Sequence, residues 1–204
     1  MITNVFRAFL KRRGVAVVKQ RIWDHEYRSG KWERTGLKEA SHKQTRDIVL
    51  DVIDRYGRGK DILDLGCGDG ATGLEIADTY RQYVGVDVSR VAILSARLSF
   101  RQDSPRTRNN TYLVSDISTF VPEGQSAVIL FRESIYYFSA HLIKRMLHRY
   151  SSFLVPGGVF VVRLHDRVKY HRITEFIEQH YRVVERCESQ DNAGLVLVFA
   201  PADR

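Results

Sequence analysis

The stretch Lys60-Asp61-Ile62-Leu63-Asp64-Leu65-Gly66-Cys67-Gly68-Asp69-Gly70-Ala71-Thr72-Gly73 limits the fold more than any other part of the chain. Ile62, Leu63 and Leu65 make a short apolar run that reads as a strand buried on both faces, the mark of a parallel sheet. The run passes straight into glycines. Gly66 and Gly68 remove the Cβ atoms that would hold a ligand away from the backbone, and the free N–H groups of a helix opening near Ala71 face the same place. A strand, a glycine turn and a helix in this order predict an α/β domain that holds a nucleotide-like ligand at the strand's carboxyl end.

Two cofactors fit such a turn. Gly68-Asp69-Gly70-Ala71-Thr72-Gly73 satisfies the G-x-G-x-x-G dinucleotide fingerprint. Register argues for another pattern, because the strand ends at Leu65 and the first turn glycine is therefore Gly66. Counted from there, the turn reads Asp64-x-Gly66-x-Gly68-x-Gly70, which resembles motif I of the class I S-adenosylmethionine (SAM) dependent methyltransferases. Either cofactor wants an acidic residue about 20 residues on, at the end of the next strand, for the ribose hydroxyls. Tyr83-Val84-Gly85-Val86-Asp87 supplies it.

Later segments favour the methyltransferase pattern. A strand over residues 111–115 delivers Asp116-Ile117, where that family places an acidic residue for the adenine amino group and an apolar neighbour for the ring. The strand over 126–131 ends in Arg132-Glu133-Ser134-Ile135-Tyr136-Tyr137, similar to the S-E-x-x-Y-Y segment of the nodulation N-methyltransferase group, with Arg132 a departure at its head. Leu154-Val155-Pro156-Gly157-Gly158 resembles the L-x-P-G-G turn that opens strand five of the superfamily, and His165 with Asp166 follows that strand. The last two strands, over 182–186 and 195–199, are separated by a polar turn too short for a crossover helix, so they are antiparallel. The resemblance implies a doubly wound, Rossmann-like, mostly parallel seven-stranded sheet with a C-terminal antiparallel hairpin and helices on both faces.

On the resemblance, Asp64, Gly66, Cys67 and Gly68 line the methionine moiety, Asp87 and Val88 the ribose, and Asp116 and Ile117 the adenine, with Arg132 and Trp32 as further cofactor contacts. Glu133, Tyr137 and His165 are the implied catalytic group, since a hydroxyl acceptor benefits from a positioned base whereas a neutral amine needs orientation alone. The run from Trp23 to Trp32, W-x-x-x-Y-x-x-G-x-W, reads as a polar, turn-containing cap over the cofactor's methionine end and the acceptor, or as a surface loop held by two buried indoles. A helix is expected over 37–56, a first core helix from Ala71 to Tyr80, and a helix after Ser89 with that serine as N-cap.

A chain of 204 residues with a 44% apolar share can bury one α/β core and a modest appendage. The division expected is a basic arm over 1–22, a cap segment and helix over 23–59, and a SAM-binding domain over 60–204. Two distant cysteines give no metal or disulfide pattern, which suits a reduced, cytoplasmic setting. No apolar run reaches the roughly 18 residues of a membrane span. The net charge of +8 favours an anionic partner. The basic residues concentrate in the arm, where residues 3–13 read as a short amphipathic helix, and again at Arg97, Arg101, Arg106 and Arg108. The arm either meets RNA or an anionic membrane surface peripherally, or simply packs on the domain; no DNA contact is expected.

The functional expectation is a SAM-dependent N- or O-methyltransferase for a small anionic, sugar or lipid-linked acceptor. An RNA methyltransferase and a catalytically silent SAM-fold binding protein are the alternatives. No N-P-P-Y-type tetrapeptide follows strand four, and a silent scaffold has no need of the intact glycines.

Overall fold

The computed structural model describes residues 7, 9–11, 14–30, 46–76, 79–99, 109–188 and 194–202. Helices α1 (Ala16–Arg28) and α2 (Arg46–Gly57) precede the sheet, and residues 7 and 9–11 are also helical. Then follow β1 (Asp61–Leu65), α3 (Ala71–Glu75), β2 (Gln82–Asp87), α4 (Arg90–Ser99) and β3 (Asn110–Val114). The second half comprises β4 (Ser126–Arg132), a 3₁₀ turn (Ile135–Tyr137), α5 (Ala140–Ser151), β5 (Leu154–Leu164), α6 (His171–His180), β6 (Tyr181–Glu188) and β7 (Leu195–Pro201). The seven strands lie in the order β3-β2-β1-β4-β5-β7-β6. Strands β1 to β5 pair in parallel, while β7 is antiparallel to both β5 and β6. The expected doubly wound sheet with its closing hairpin is what the chain forms.

The central strands are apolar throughout because each face carries its own core. Leu63, Leu65, Ile129, Phe131, Phe160 and Val162 point to the side covered by α5 and α6, where Met146, Leu147, Tyr150 and Ile177 meet them. Their neighbours Ile62, Val128, Leu130, Val159 and Val161 point to the side of α2 and α4, against Val49, Val52, Ile53 and Ile93. The period-two alternation splits one apolar run between two cores. At the sheet edge, β6 alternates strictly between half-buried and exposed residues.

Three elements differ from the sequence expectation. The segment expected as a polar cap with turns is helical from Ala16 through Arg28, and the turn begins at Ser29, so the boundary drawn at residue 22 falls inside α1. Helix α3 stops at Glu75 instead of reaching Tyr80: Ile76 is extended, and Ile76 and Tyr80 enter the core from a turn. Strand β5 takes in the Pro156-Gly157-Gly158 segment, with Gly157 at φ 74° and a register shift on β4 absorbing the irregularity. The start of the 37–56 helix lies outside the described residues, as do Arg101, Arg106, Arg108 and Trp32. Arg97 is a clasp, donating to the Tyr112 carbonyl and tying α4 to β3.

Candidate cofactor and acceptor site

The carboxyl ends of β1, β2 and β4 meet at the glycine turn, and that of β3 lies beyond β2 on the same edge of the sheet. Gly66, Gly68 and Gly70 hold φ of 89°, 57° and 81°, a region that side chains with a Cβ rarely enter. Space is equally restrictive. A Cβ on Gly66 would stand 2.4 Å from the Ser134 Cβ, and one on Gly68 would stand 2.7 Å from the Tyr27 hydroxyl. The turn is tied to β2 by Gly66 N donating to the Val86 carbonyl at 2.7 Å and by Gly68 N donating to Asp87 Oδ2 at 3.0 Å. Asp87 Oδ1 accepts from Ser89 N at 2.8 Å, so this half-buried carboxylate braces the turn and the start of α4 together. Burial pushes its pKa up to about 6, despite the two backbone donors. Val88 is half-buried beside it.

Two predicted methionine-side residues lie behind the turn. Cys67 is buried with its Sγ packed toward Gly85, and burial pushes its thiol up, so it acts as packing. Asp64 is fully buried beneath the turn, its Oδ2 accepting from the Tyr83 hydroxyl at 2.5 Å. Residues alternate along β1, so Asp64 shares with Ile62 the face turned to α2 and α4. Desolvation raises its pKa to about 6. Nearby, Arg132 Nη1 donates to Thr72 Oγ1 at 3.1 Å and pairs with Glu75 at 3.4 Å, anchoring α3 to the tip of β4. Asp64 Oδ1 and Arg132 Nη2 have no partner among the described residues.

Asp116 lies past β3 as expected. Its Oδ1 accepts from Ser118 N at 2.9 Å and Ser118 Oγ at 2.7 Å, and its Oδ2 accepts from Lys19 Nζ at 2.8 Å. Burial alone would raise this carboxyl, but Lys19 and Ser118 outweigh it and hold the group below its ordinary range. Ile117 is buried in the core, its carbonyl accepting from the Tyr150 hydroxyl at 2.7 Å.

Glu133 and His165 come together at the tips of β4 and β5, and the tyrosine that meets them is Tyr136; the expected Tyr137 packs instead against Tyr136 and Trp23. Glu133 has φ 57°, an unusual conformation for a residue with a Cβ, which turns its side chain toward β5. Its Oε2 lies 2.7 Å from His165 Nδ1 and accepts from the Tyr136 hydroxyl at 2.8 Å, while its Oε1 pairs with the buried Arg163 guanidinium. A carboxylate paired with Arg163 is an acceptor, so the tautomer that satisfies this contact has the His165 proton on Nδ1 and leaves Nε2 without a hydrogen-bond partner among the described residues. Tyr136 and Tyr170 stack with centroids 4.3 Å apart, His165 meets both edge-on, and Tyr137 lies edge-on to Trp23 at 4.7 Å. Burial raises the Tyr136 and Tyr137 phenols, which remain protonated donors.

Helix α1 supplies what the sequence reading did not identify. Besides Lys19 on Asp116 and Tyr27 over Gly68, Asp24 Oδ1 accepts from Ser89 Oγ at 2.7 Å and from Val91 N at 3.1 Å. The described part of the arm packs here too, with Lys11 Nζ 2.6 Å from Glu26 and 3.8 Å from the Trp23 ring centroid. Charged groups carry these contacts, so no apolar periodicity announces them.

Residues 62–158 match the family model described as a methyltransferase domain. The chain is 27% identical over 128 residues to the 2-heptyl-1-hydroxyquinolin-4(1H)-one methyltransferase of Mycobacteroides abscessus, covering 62% of this chain and 56% of that protein. It is 29% identical over 83 residues to the ubiquinone biosynthesis O-methyltransferase of Nitrosospira multiformis, covering 40% of this chain and 35% of that protein. The chain thus spans about half the length, or less, of these curated relatives. Among solved structures, the N-methyltransferase NodS from Bradyrhizobium japonicum, in complex with S-adenosyl-L-homocysteine (SAH), superposes with a TM-score of 0.65 at 20% identity, over 78% of this chain and 86% of that one. Magnesium protoporphyrin IX methyltransferase from Synechocystis, also with bound SAH, gives 0.71 at 11% identity, over 91% and 99%. The glycine turn in its Asp64-x-Gly66-x-Gly68-x-Gly70 register, the acidic ends of β2 and β3 and the antiparallel β7 give the chain the Rossmann-like fold of these SAM-dependent methyltransferase structures, and just under half of it, residues 62–158, matches a methyltransferase domain.

Proposed function

We propose that this chain methylates a small molecule and that the accepting atom is a hydroxyl oxygen. The observation that supports an oxygen acceptor is the His165–Glu133 pair, whose Nδ1 contact at 2.7 Å leaves Nε2 to take a proton. The cofactor fits this chain: the left-handed, Cβ-free turn offers a backbone surface for the methionine and ribose, and Asp87 and Asp116 stand at the ends of β2 and β3 for the ribose and adenine. SAM supplies an activated methyl group on a sulfonium. The chain's own residues orient the acceptor and exclude water, with Trp23, Tyr136 and Tyr137 walling the acceptor side and the His165 Nε2 accepting the hydroxyl proton. Both curated relatives carry methyltransferase names, one of them an O-methyltransferase. An anionic, sugar or lipid-linked acceptor is favoured by the net charge of +8.

Labelled SAM incubated with cell fractions divided into lipids, glycans, small molecules and RNA identifies the acceptor; label in RNA alone overturns the small-molecule assignment. With an acceptor in hand, His165→Ala lowers turnover by about 10²–10⁴-fold and leaves SAH affinity unchanged. A loss below about tenfold points instead to an amine acceptor held by orientation alone.

A further inference from the structure

Asp116 is where the superfamily pattern places the adenine amino group, yet the carboxylate does not stand alone. Lys19 arrives from α1 and puts its ammonium 2.8 Å from Oδ2. The two side chains are 8% and 7% exposed. A lysine ammonium has three donors, and among the described residues Asp116 is its hydrogen-bond acceptor. Burying donors without partners is costly, and the ring of Phe138, 5.5 Å from Nζ, offers a face and no acceptor lone pair. The remaining lone pairs of Asp116 are similarly incomplete, since Ser118 takes Oδ1 and Lys19 takes one side of Oδ2.

An acceptor oxygen and a donor nitrogen side by side match the edge of adenine, whose amino group is flanked by ring nitrogens that accept. Asparagine and glutamine use the same donor–acceptor pairing within one amide to read adenine. Here the pair is divided between two side chains, 97 residues apart in sequence. We propose that Lys19 is a cofactor-binding residue: with Asp116 it forms a split donor–acceptor pair in which Asp116 accepts from the adenine amino group and Lys19 donates to a neighbouring ring nitrogen. Helix α1 is thereby part of the base-recognition site, and not a cover alone.

This inference rests on SAM being the cofactor, and the test separates the two. SAH binding is measured by calorimetry for the wild-type chain, Lys19→Met and Lys19→Gln, alongside SAH analogues in which adenine N1 or N7 is replaced by carbon. Thermal unfolding of each variant confirms folding. The wild type binds SAH, and one of the two deaza analogues binds about tenfold or more weakly. Lys19→Met weakens SAH by about 10- to 100-fold, the range for a charge-assisted hydrogen bond, and no longer distinguishes that analogue from SAH. Lys19→Gln, which keeps a donor, retains part of the discrimination. Tighter SAH binding by Lys19→Met overturns the proposal, because Lys19 then competes with adenine for Asp116. A weakened variant that still discriminates the analogue as the wild type does also overturns it, because Lys19 then serves to dock α1. Absence of SAH binding by the folded wild type removes the cofactor reading itself.

Discussion

Asp64 and Asp87 carry raised carboxyl groups, both near 6, and their surroundings give the two shifts different consequences. Asp64 is sealed beneath the turn with one oxygen unpartnered, so ionising it costs desolvation energy that the unfolded chain does not meet. Its folded pKa lies above its unfolded value, so the folded state binds more protons between about pH 4 and 6, and stability falls as pH rises through that window. Asp64→Asn is expected to be more stable than wild type at pH 7 by about 2 kcal/mol, with the difference disappearing below pH 4, as measured by urea unfolding across pH. Under the proposed cofactor assignment the same shift at Asp87 acts on binding, because ribose hydroxyls donate to the ionised form. SAH affinity is expected to rise as pH increases from 5 through about 6 and then level off, with Asp87→Asn flattening the rise; calorimetry at half-unit steps measures it. Both aspartates were legible from their spacing to the glycines, but which of them faces the ligand was not. Asp64 sits within β1, which is buried on both faces, whereas Asp87 ends β2, and that difference in burial comes from tertiary packing.

Helix α1 was the least legible element, for an identifiable reason. Its buried residues are Lys19, Asp24 and Glu26, while Val15 just before it and Val17 within it stand exposed, so the usual apolar stripe is inverted. Charges turned inward are informative only when their partners are known, and those partners lie 15, 65 and 97 residues away. Asp24 joins two helices. Its Oδ1 takes the Val91 N–H at the start of α4, while Ser89 Oγ, itself donating to Asp24, takes the Ala92 N–H, so donors left free at a helix start are satisfied from a different element. Asp24→Ala is expected to lower stability by about 1–2 kcal/mol in urea unfolding and to speed proteolytic cleavage within 16–30, with Ser89→Ala smaller in both. Equal cleavage rates in wild type and Asp24→Ala would show that α1 is held without this contact.

At the scale of the molecule, the sheet was readable because its strands are near-continuous apolar runs and its last connection is too short for a crossover. That one antiparallel strand separates this architecture from a dinucleotide-binding domain, in which the sheet continues in parallel. Among the described residues, no helix is long and apolar enough to cross a membrane. The site draws on the strand ends and on α1, so a ligand seated there ties α1 to strands that it otherwise meets through polar contacts such as Lys19–Asp116 and Asp24–Ser89. Ligand that binds the folded state alone stabilises it by about 2.7 kcal/mol at a hundredfold excess over its dissociation constant. For a chain of this size, each kcal/mol moves the melting temperature by roughly 2–4 °C. SAH at that excess is therefore expected to raise the melting temperature by about 5–11 °C, and NAD at the same concentration to leave it within about 1 °C. The register from Gly66 and the paired Asp116 both point that way, whereas a shift with NAD equal to that with SAH would return the glycine turn to the dinucleotide pattern that Gly68-Asp69-Gly70-Ala71-Thr72-Gly73 also satisfies.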